Sequence, residues 1–438
     1  MTYQRHFLLC CCLGAISLGF AQPATWTLRQ CLEHAHANNL QIKQADLRIQ
    51  ESELNRRQSV AALFPSLSAS TSVGLSRQNV KNSMNEYMSE HSLNARYSVG
   101  ANLTLFNGWR QINNIRQQEL NMQLEETDKD NTLFNIDLSI IQAYTQIAYL
   151  KESVEVLKSN LEASKAQRDM AEGKRKAGAI SQSDFAQMEA QYSKDQYQLV
   201  LGENQLQEQL LQLKQLLDLG LNDSIDITSV PAEEAQILTA LPDKQHIYDQ
   251  ALQHLPSARY QQLSMESAEL NCKMASGSYL PSLSLSASVG TGNWFDSDEK
   301  FRTQLNDNLN ENLSLSLSVP IFNGLQTRTS VQKAQLSRQN AGLNKEISEK
   351  ELRSTIENLY NDALAAQSQY RQATAQLASA EASHALVREQ YKVGLKNSVE
   401  LIVSENNYLN AAQTLLQTKY TAALAVKLLQ YYQGLPIE

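Results

Sequence analysis

Two stretches of this chain are nearly the same phrase. LFPSLSASTSVG occupies 63–74 and YLPSLSLSASVG occupies 279–290, with Pro65 and Pro281 set 216 residues apart. The same offset separates Phe106 of TLFNGW from Phe322 of PIFNGL, Gly178 of RKAGAIS from Gly394 of YKVGLKN, and Ala35 from Ala251. Distinctive motifs at one spacing and in one order identify a tandem duplication.

Each copy has the order helix, two strands, long helix, return helix. In the first copy the pattern predicts a helix from Leu28 to about Leu63 and a strand over 66–76. A polar loop around RQNVKNSMNEYMSEHS follows, then a second strand over 97–106 ended by NG. A long helix is expected over 111–176, where Leu133, Ile136, Ile140, Tyr144, Ile147, Val154, Leu157 and Leu161 draw an apolar seam at helical spacing. Gly178 breaks it, and a return helix runs over about 181–219. The second copy predicts a helix to Ser278, strands near 282–290 and 312–322, a long helix toward Tyr391, a turn at Gly394 and a return helix to about Tyr432. The chain thus divides into a leader (1–21), a first repeat (22–222), a linker with room for one short strand (223–243) and a second repeat (244–438).

The seam by itself fits an ordinary bundle core. Length argues for more. With only 16 Gly and 8 Pro in 438 residues, where average usage would give about thirty and about twenty, the elements run long. About seventy helical residues at 1.5 Å each make a rod on the order of 100 Å, used twice. The molecule is expected to be elongated.

The strands specify the medium. Leu67, Ala69, Val73 and Leu75, then Val99, Ala101, Leu103 and Leu105, put apolar residues at odd positions. Leu283, Leu285, Ala287 and Val289, with Leu313, Leu315, Leu317, Val319 and Ile321, do the same in the second copy, and serine or glycine commonly fills the even places. One face is apolar and the other polar, as in a soluble sandwich with one solvated face. Three features favour a membrane instead. Runs of ~10–12 residues match a tilted strand crossing ~30 Å of hydrocarbon. Aromatics bracket them: Phe64, Tyr97, Phe106 and Trp109, then Tyr279, Trp294 and Phe322. The polar face is small and uncharged, as suits a water-filled lumen. Four strands cannot close a transmembrane barrel of about eight or more, and lipid tolerates no open edge. Closure therefore predicts an oligomer, with three copies supplying about twelve strands.

The opening residues MTYQRHFLLCCCLGAISLGFAQP read as a secretory signal cut after Ala21, taking Cys10, Cys11 and Cys12 with it. Cys31 and Cys272 remain, too few for a disulfide scaffold, and their pairing is not legible. The formal charge of −8, without a basic tract, argues against nucleic acid.

The order of parts, the Pro-Ser strand starts, LFNG at 105–108, IFNG at 321–324, and the turns AGAISQSD and VGLKNSVE together resemble the outer-membrane efflux protein family, the TolC-like channels. The resemblance implies a mostly α protein with a β-barrel contribution: a homotrimeric 12-stranded barrel on an α-helical periplasmic tunnel. It also implies docking with a periplasmic adaptor and an inner-membrane transporter. Carried over, the adaptor-docking turns are Ala177, Gly178 and Ala179, and Val393, Gly394 and Leu395. The family's periplasmic gate maps to Asp184, Tyr391, Lys396 and Glu400. Lys396 stands where some members have arginine, and Val403 where some have an acid. Lysine lacks arginine's bidentate fork, so a weaker or differently wired latch is expected. Six carboxylates around one mouth would attract cations and resist anions; two solvated acids on helix tips is the plainer reading of the same residues.

Enzyme signatures are lacking. His34 and His36 sit two apart, off a shared helical face. There is no zinc-like Cys/His spacing, no G-x-S-x-G and no phosphate loop, since EGKRK lacks the required residues. Asp296–Glu299 could bind calcium or form a solvated loop. No catalytic residue, metal or cofactor is expected. The competing reading is an exported coiled-coil scaffold or adaptor without a pore.

Overall fold

The computed structural model describes residues 24–81, 83–228 and 234–435; the leader expected over 1–21 lies outside the described residues. Strand β1 (Ala24–Trp26) leads into α1 (Leu28–Asn38), whose first turn is closed by a reciprocal capping box between Thr27 and Gln30. Helix α2 (Leu40–Ala61) follows at once. The single helix expected from Leu28 to about Leu63 is thus two. Asn39 takes φ −58° and ψ 131°, and its side-chain oxygen accepts from the Gln41 N–H at 2.8 Å, ending one helix and capping the next.

After α2 come β2 (Ser66–Lys81), β3 (Tyr87–Asn107), α3 (Arg110–Lys176), α4 (Gln182–Leu216) and the short β4 (Ile225–Ile227) and α5 (Glu234–Ile237). The second copy follows as α6 (Lys244–His254), α7 (Pro256–Gly277), β5 (Ser282–Trp294), α8 (Phe301–Asp307), β6 (Asn310–Ser318), α9 (Gln326–Lys392) and α10 (Ser398–Tyr432). The helices of the two copies match in length: 11 residues for α1 and α6, 22 for α2 and α7, 67 for α3 and α9, and 35 for α4 and α10. The α6–α7 break repeats the Asn39 break at Leu255, where Pro256 takes the first helical position.

The four long strands form one antiparallel sheet in the order β2-β3-β5-β6. Residues opposite one another share a face, so the alternation in each strand becomes rows across the sheet. One row reads Leu67, Ala101, Ala287, Leu313; the adjacent row on the other face reads Ser68, Gly100, Ser288, Asn312. The apolar side is uncovered, with Leu67, Leu75 and Leu313 each 75% exposed. Where the helices join, the sheet is flanked by the exposed rings of Phe64, Trp109, Tyr279 and Phe322, and Trp294 stands exposed at the far end. A bulge in β3 between Thr104 and Phe106 re-aims its last residues.

Two strand expectations are corrected. The loop expected at 77–92 is largely ladder: β2 and β3 stay paired out to Lys81 and Tyr87. Side-chain alternation stops near Leu75, but a ladder is made by backbone, and Ser76–Ser92 (2.7 Å) and Asn79–Ser89 (2.7 Å) hydrogen bonds support the polar extension. Conversely β6 stops at Ser318 instead of reaching Phe322. Pro320 has no N–H to donate, and β6 is an edge strand with β5 as its sole partner among the described residues.

The strand-to-helix junctions repeat as well. Gly108 and Trp109 have φ 70° and 65°, and Gly324 and Leu325 have φ 64° and 65°. Neither long helix has a side-chain cap at its start. At the first junction two backbones touch. A Cβ on Gly108 would lie 2.1 Å from the Gly277 carbonyl oxygen, and one on Gly277 would lie 2.4 Å from the Gly108 oxygen.

Midway along α3 a belt joins the copies to their linker. β1 and β4 pair in parallel. The Tyr144 hydroxyl donates to the Thr228 carbonyl at 2.6 Å, and Lys151 Nζ reaches Asp226 at 2.8 Å and the Ile227 carbonyl at 2.9 Å. Ile140, Ile147, Leu213 and Cys31 fill the core beneath. Cys31 and Cys272 are both free thiols, and burial pushes the Cys31 thiol up to about 12. No helix among the described residues is long and apolar enough to cross a membrane.

The helical packing contains a polar pocket nearer the tips. Asp195 of α4 and Glu405 of α10 are 2% and 3% exposed. Gln191 donates to Asp195 Oδ1 at 2.9 Å and Gln167 to Glu405 Oε1 at 3.1 Å, while Asp195 Oδ2 and Glu405 Oε2 have no hydrogen-bond partner. Burial first, and the Asp195 charge second, push Glu405 up to about 7; burial raises Asp195 too. Because the folded state holds the Glu405 proton, its contribution is full below the ordinary carboxyl range and is lost as pH rises through about 7.

Two outcomes follow. Glu405→Gln should stabilise the folded protein by on the order of 1–3 kcal/mol at pH 8 and by little at pH 5, measured by thermal unfolding in detergent; equal effects at both pH values would refute the buried-acid account. Gly277→Ala should destabilise by roughly 1–3 kcal/mol because a backbone must move, whereas Gly173→Ala, with nothing within 4 Å of its added carbon, should not destabilise.

Candidate functional site

The far ends of the two long hairpins form the site, because it is there that the expected gate and docking residues gather. Both turns are built the same way. The Ala179 N–H bonds to the Lys174 carbonyl at 2.8 Å and the Gly178 N–H to that of Arg175 at 2.9 Å. The Leu395 N–H bonds to the Gln390 carbonyl at 2.9 Å and the Gly394 N–H to that of Tyr391 at 3.2 Å. This paired closure of a helix end needs a left-handed residue, which Gly178 (φ 74°) and Gly394 (φ 80°) supply. The turns are tight and exposed. Val393 and Leu395 are 70% and 75% exposed, two apolar side chains left in solvent on a tip.

The return helices then start with reciprocal capping boxes. Ser181 and Asp184 close α4, and Asn397 and Glu400 close α10. Both expected gate acids therefore serve the local structure. Each carboxylate accepts from the backbone of its own cap residue, at 3.3 Å for Ser181 and 3.1 Å for Asn397. The Ser181 hydroxyl, then Ser398, hold Asp184 below the usual carboxylate range. Lys396 and the Asn397 backbone do the same for Glu400. Lys396 is ion-paired with Glu400 one turn on, so its partner is on the same helix end rather than a tyrosine.

Contacts across the hairpins come from residues the motif did not name. Ser398 Oγ lies 3.0 Å from both Asp184 Oδ1 and Gln187 Oε1, so its hydroxyl can donate to either and tie α10 to α4. Tyr391 packs with Ala171, Met188 and Leu401, and Lys174 Nζ sits 4.8 Å from its ring centroid. Burial, then the nearby Asp184 charge, raises the Tyr391 phenol. The tip thus brings Asp184, Tyr391 and Ser398 into one cluster and keeps Lys396 and Glu400 as a separate pair on α10. Val403 is half exposed. Ser398, Gln187 and Lys174 were invisible to spacing because their partners lie on another hairpin; the first-turn position of Ser398, next to the cap, is the single cue the sequence offers.

At the opposite end, the Asp296–Glu299 loop is held by the buried Gln304. Its side chain accepts from Trp294 N at 2.7 Å and donates to the Glu299 carbonyl at 2.9 Å. Among the described residues no group of three or more His, Cys, Asp or Glu side chains is placed to hold a metal.

Comparison with known proteins matches this geometry. The chain is similar to the outer membrane efflux protein BepC of Brucella suis biovar 1 (strain 1330), 22% identical over 408 residues that cover 91% of this chain and 83% of the relative. It is 23% identical to the outer membrane protein TolC of Escherichia coli (strain K12) over 354 residues, covering 74% and 71%. The crystal structure of the outer membrane protein VceC from Vibrio cholerae superposes with a TM-score of 0.77 at 17% identity, over 94% of this chain and 97% of that one. A family profile described as outer membrane efflux protein matches residues 31–218 and again 247–434, two segments displaced by the same 216 residues as the motifs. The chain belongs to the outer membrane efflux protein family.

Proposed function

We propose that this chain is the outer-membrane exit duct of a tripartite efflux or type I secretion system, conducting cargo passively from a periplasmic adaptor and an inner-membrane pump to the exterior. One observation carries this reading. A four-stranded sheet has a continuous apolar face and a continuous serine face, and both its edges are open. A scaffold without a pore leaves that apolar face with no suitable solvent. Lipid supplies one, and then forbids the open edges. Three copies, giving about twelve strands, satisfy both conditions. Repeats 22–222 and 244–438, joined by 223–243, supply two strands each, and helices on the order of 100 Å continue the barrel as a tunnel through the periplasm.

At the tunnel mouth, Ala177, Gly178, Ala179, Val393, Gly394 and Leu395 are the docking turns for the adaptor. The exposed Val393 and Leu395 support that role. Asp184, Tyr391, Lys396 and Glu400 form the gate region, with the Ser398–Asp184 hydrogen bond as the intrachain latch. The acids cap helices and still present charge to solvent, so capping is compatible with an acidic ring.

Heat-resistant trimers should appear in outer-membrane fractions and conduct ions in planar bilayers; a soluble periplasmic monomer would refute the duct. Asp184→Asn with Glu400→Asn should raise single-channel conductance and raise the blocking concentration of divalent cations by on the order of tenfold, while keeping both caps, since asparagine also accepts from a backbone N–H. Unchanged conductance and block would remove the acids from the gate.

A further inference from the structure

The 216-residue offset maps β2 onto β5, β3 onto β6, α2 onto α7 and α3 onto α9. Within the chain, the first copy meets the second through β3 against β5 and α3 against α7. The mirror contact, β6 against β2 and α9 against α2, is missing among the described residues, and the surfaces it would use are bare. Leu263 on α7 is 1% exposed, but its counterpart on α2, Leu47, is 63% exposed, with Leu40 and Leu54 exposed seven residues to either side. On α9, Leu336 and Leu343 are 64% and 56% exposed at the same spacing of seven. Gly108 is packed hard against Gly277, yet its counterpart Gly324 has nothing within 4 Å.

We propose that β6 and α9 of one copy dock on β2 and α2 of a second copy in the register of the intrachain contact, which deepens the oligomeric duct reading and rests on it. The register is explicit. Val99 faces Val289, so Leu315 faces Val73 of the second copy; Gly100 faces Ser288, so Ser316 faces Ser72; Tyr97 faces Thr291, so Leu313 faces Leu75. Apolar residues meet apolar ones and small polar residues meet small polar ones along the whole strand. The same transfer explains why β6 ends early. β3 continues through Phe106 and Asn107 because Leu283 and Ser282 pair with them. The equivalents of that pair, Phe322 and Asn323, face Leu67 and Ser66, which only the second copy brings.

One position differs. The counterpart of Gly277 is Ala61, and a Cβ at Gly277 would meet the Gly108 oxygen at 2.4 Å. The Gly324–Ala61 junction between copies is therefore wider than the Gly108–Gly277 junction within a copy.

Cysteine cross-linking in the full chain tests this. With Cys272→Ser as background, Ser316→Cys with Ser72→Cys should give covalent dimers and trimers on oxidation in outer-membrane fractions. Each single variant should give none, and Ser316→Cys with Ser68→Cys, four residues out of register, should give none because the Cα atoms lie too far apart. Trimers that cross-link through Ser68, or through neither pair, overturn the register while leaving the duct reading standing; no oligomer at all overturns both. Leu47→Asp should lower the heat-resistant trimer fraction at least severalfold with helix content unchanged by circular dichroism, and Leu47→Met should preserve it. A Leu47→Asp protein with undiminished trimer would overturn the helical half of the interface.

Discussion

A strand edge in hydrocarbon has no water to bond with, and each unpaired N–H or carbonyl there costs several kcal/mol. The rest of this molecule depends on that constraint. A sheet of four strands with β2 and β6 as bare edges is unfinished by itself. Duplication is a simple way to finish it: a unit that already recognises its own repeat through β3 and β5 carries the means to recognise another chain. The helices inherit the same logic, because the surface that seats α7 between α3 and α9 is reproduced, unfilled, on α2.

The barrel end and the mouth are solved by different chemistry. Near the sheet, packing is backbone against backbone, with glycine at Gly108 and Gly277 because no Cβ fits. At the tips, polar side chains do the holding: capping boxes at Ser181 and Asn397, the Ser398–Asp184 bond and the Lys396–Glu400 pair. Such exposed bonds contribute little stability individually and are screened by salt. The molecule is thus tied firmly where it must remain closed against lipid and lightly where cargo has to enter. Glu405 and Asp195 lie between these regimes, buried deeply enough that proton uptake, rather than an ion pair, settles their charge.

Much of this is legible in the residues. The long helices expected over 111–176 and toward Tyr391 are α3 and α9, since neither has proline inside and both end at a glycine that must be left-handed. The alternation of Leu and Ser locates all four strands. What escapes is governed by contacts remote in sequence or by backbone alone. The hairpin beyond Leu75 has no alternation to read, yet its ladder holds. Asn39 looks like any other polar position in a helical stretch, because its break depends on one side-chain oxygen reaching Gln41. β6 runs short for want of a neighbour. Among the site residues, Asp184 and Glu400 stand out by their place after the turns, but spacing does not separate capping from gating, and Ser398 requires the second hairpin to be seen.

The paired left-handed residues at Gly108–Trp109 and Gly324–Leu325 have a mechanical consequence. With no side-chain cap to swing, the angle at which each 67-residue helix leaves the sheet is set by two strained backbone dihedrals. That makes the joint stiff. A sideways load on the tips has no hinge to act on at the root and is taken up as gentle curvature spread over the rod, in the way long helices bend. A slight bend per turn accumulates over that length into a large displacement at the mouth, so the aperture can be compliant while the membrane seal stays rigid.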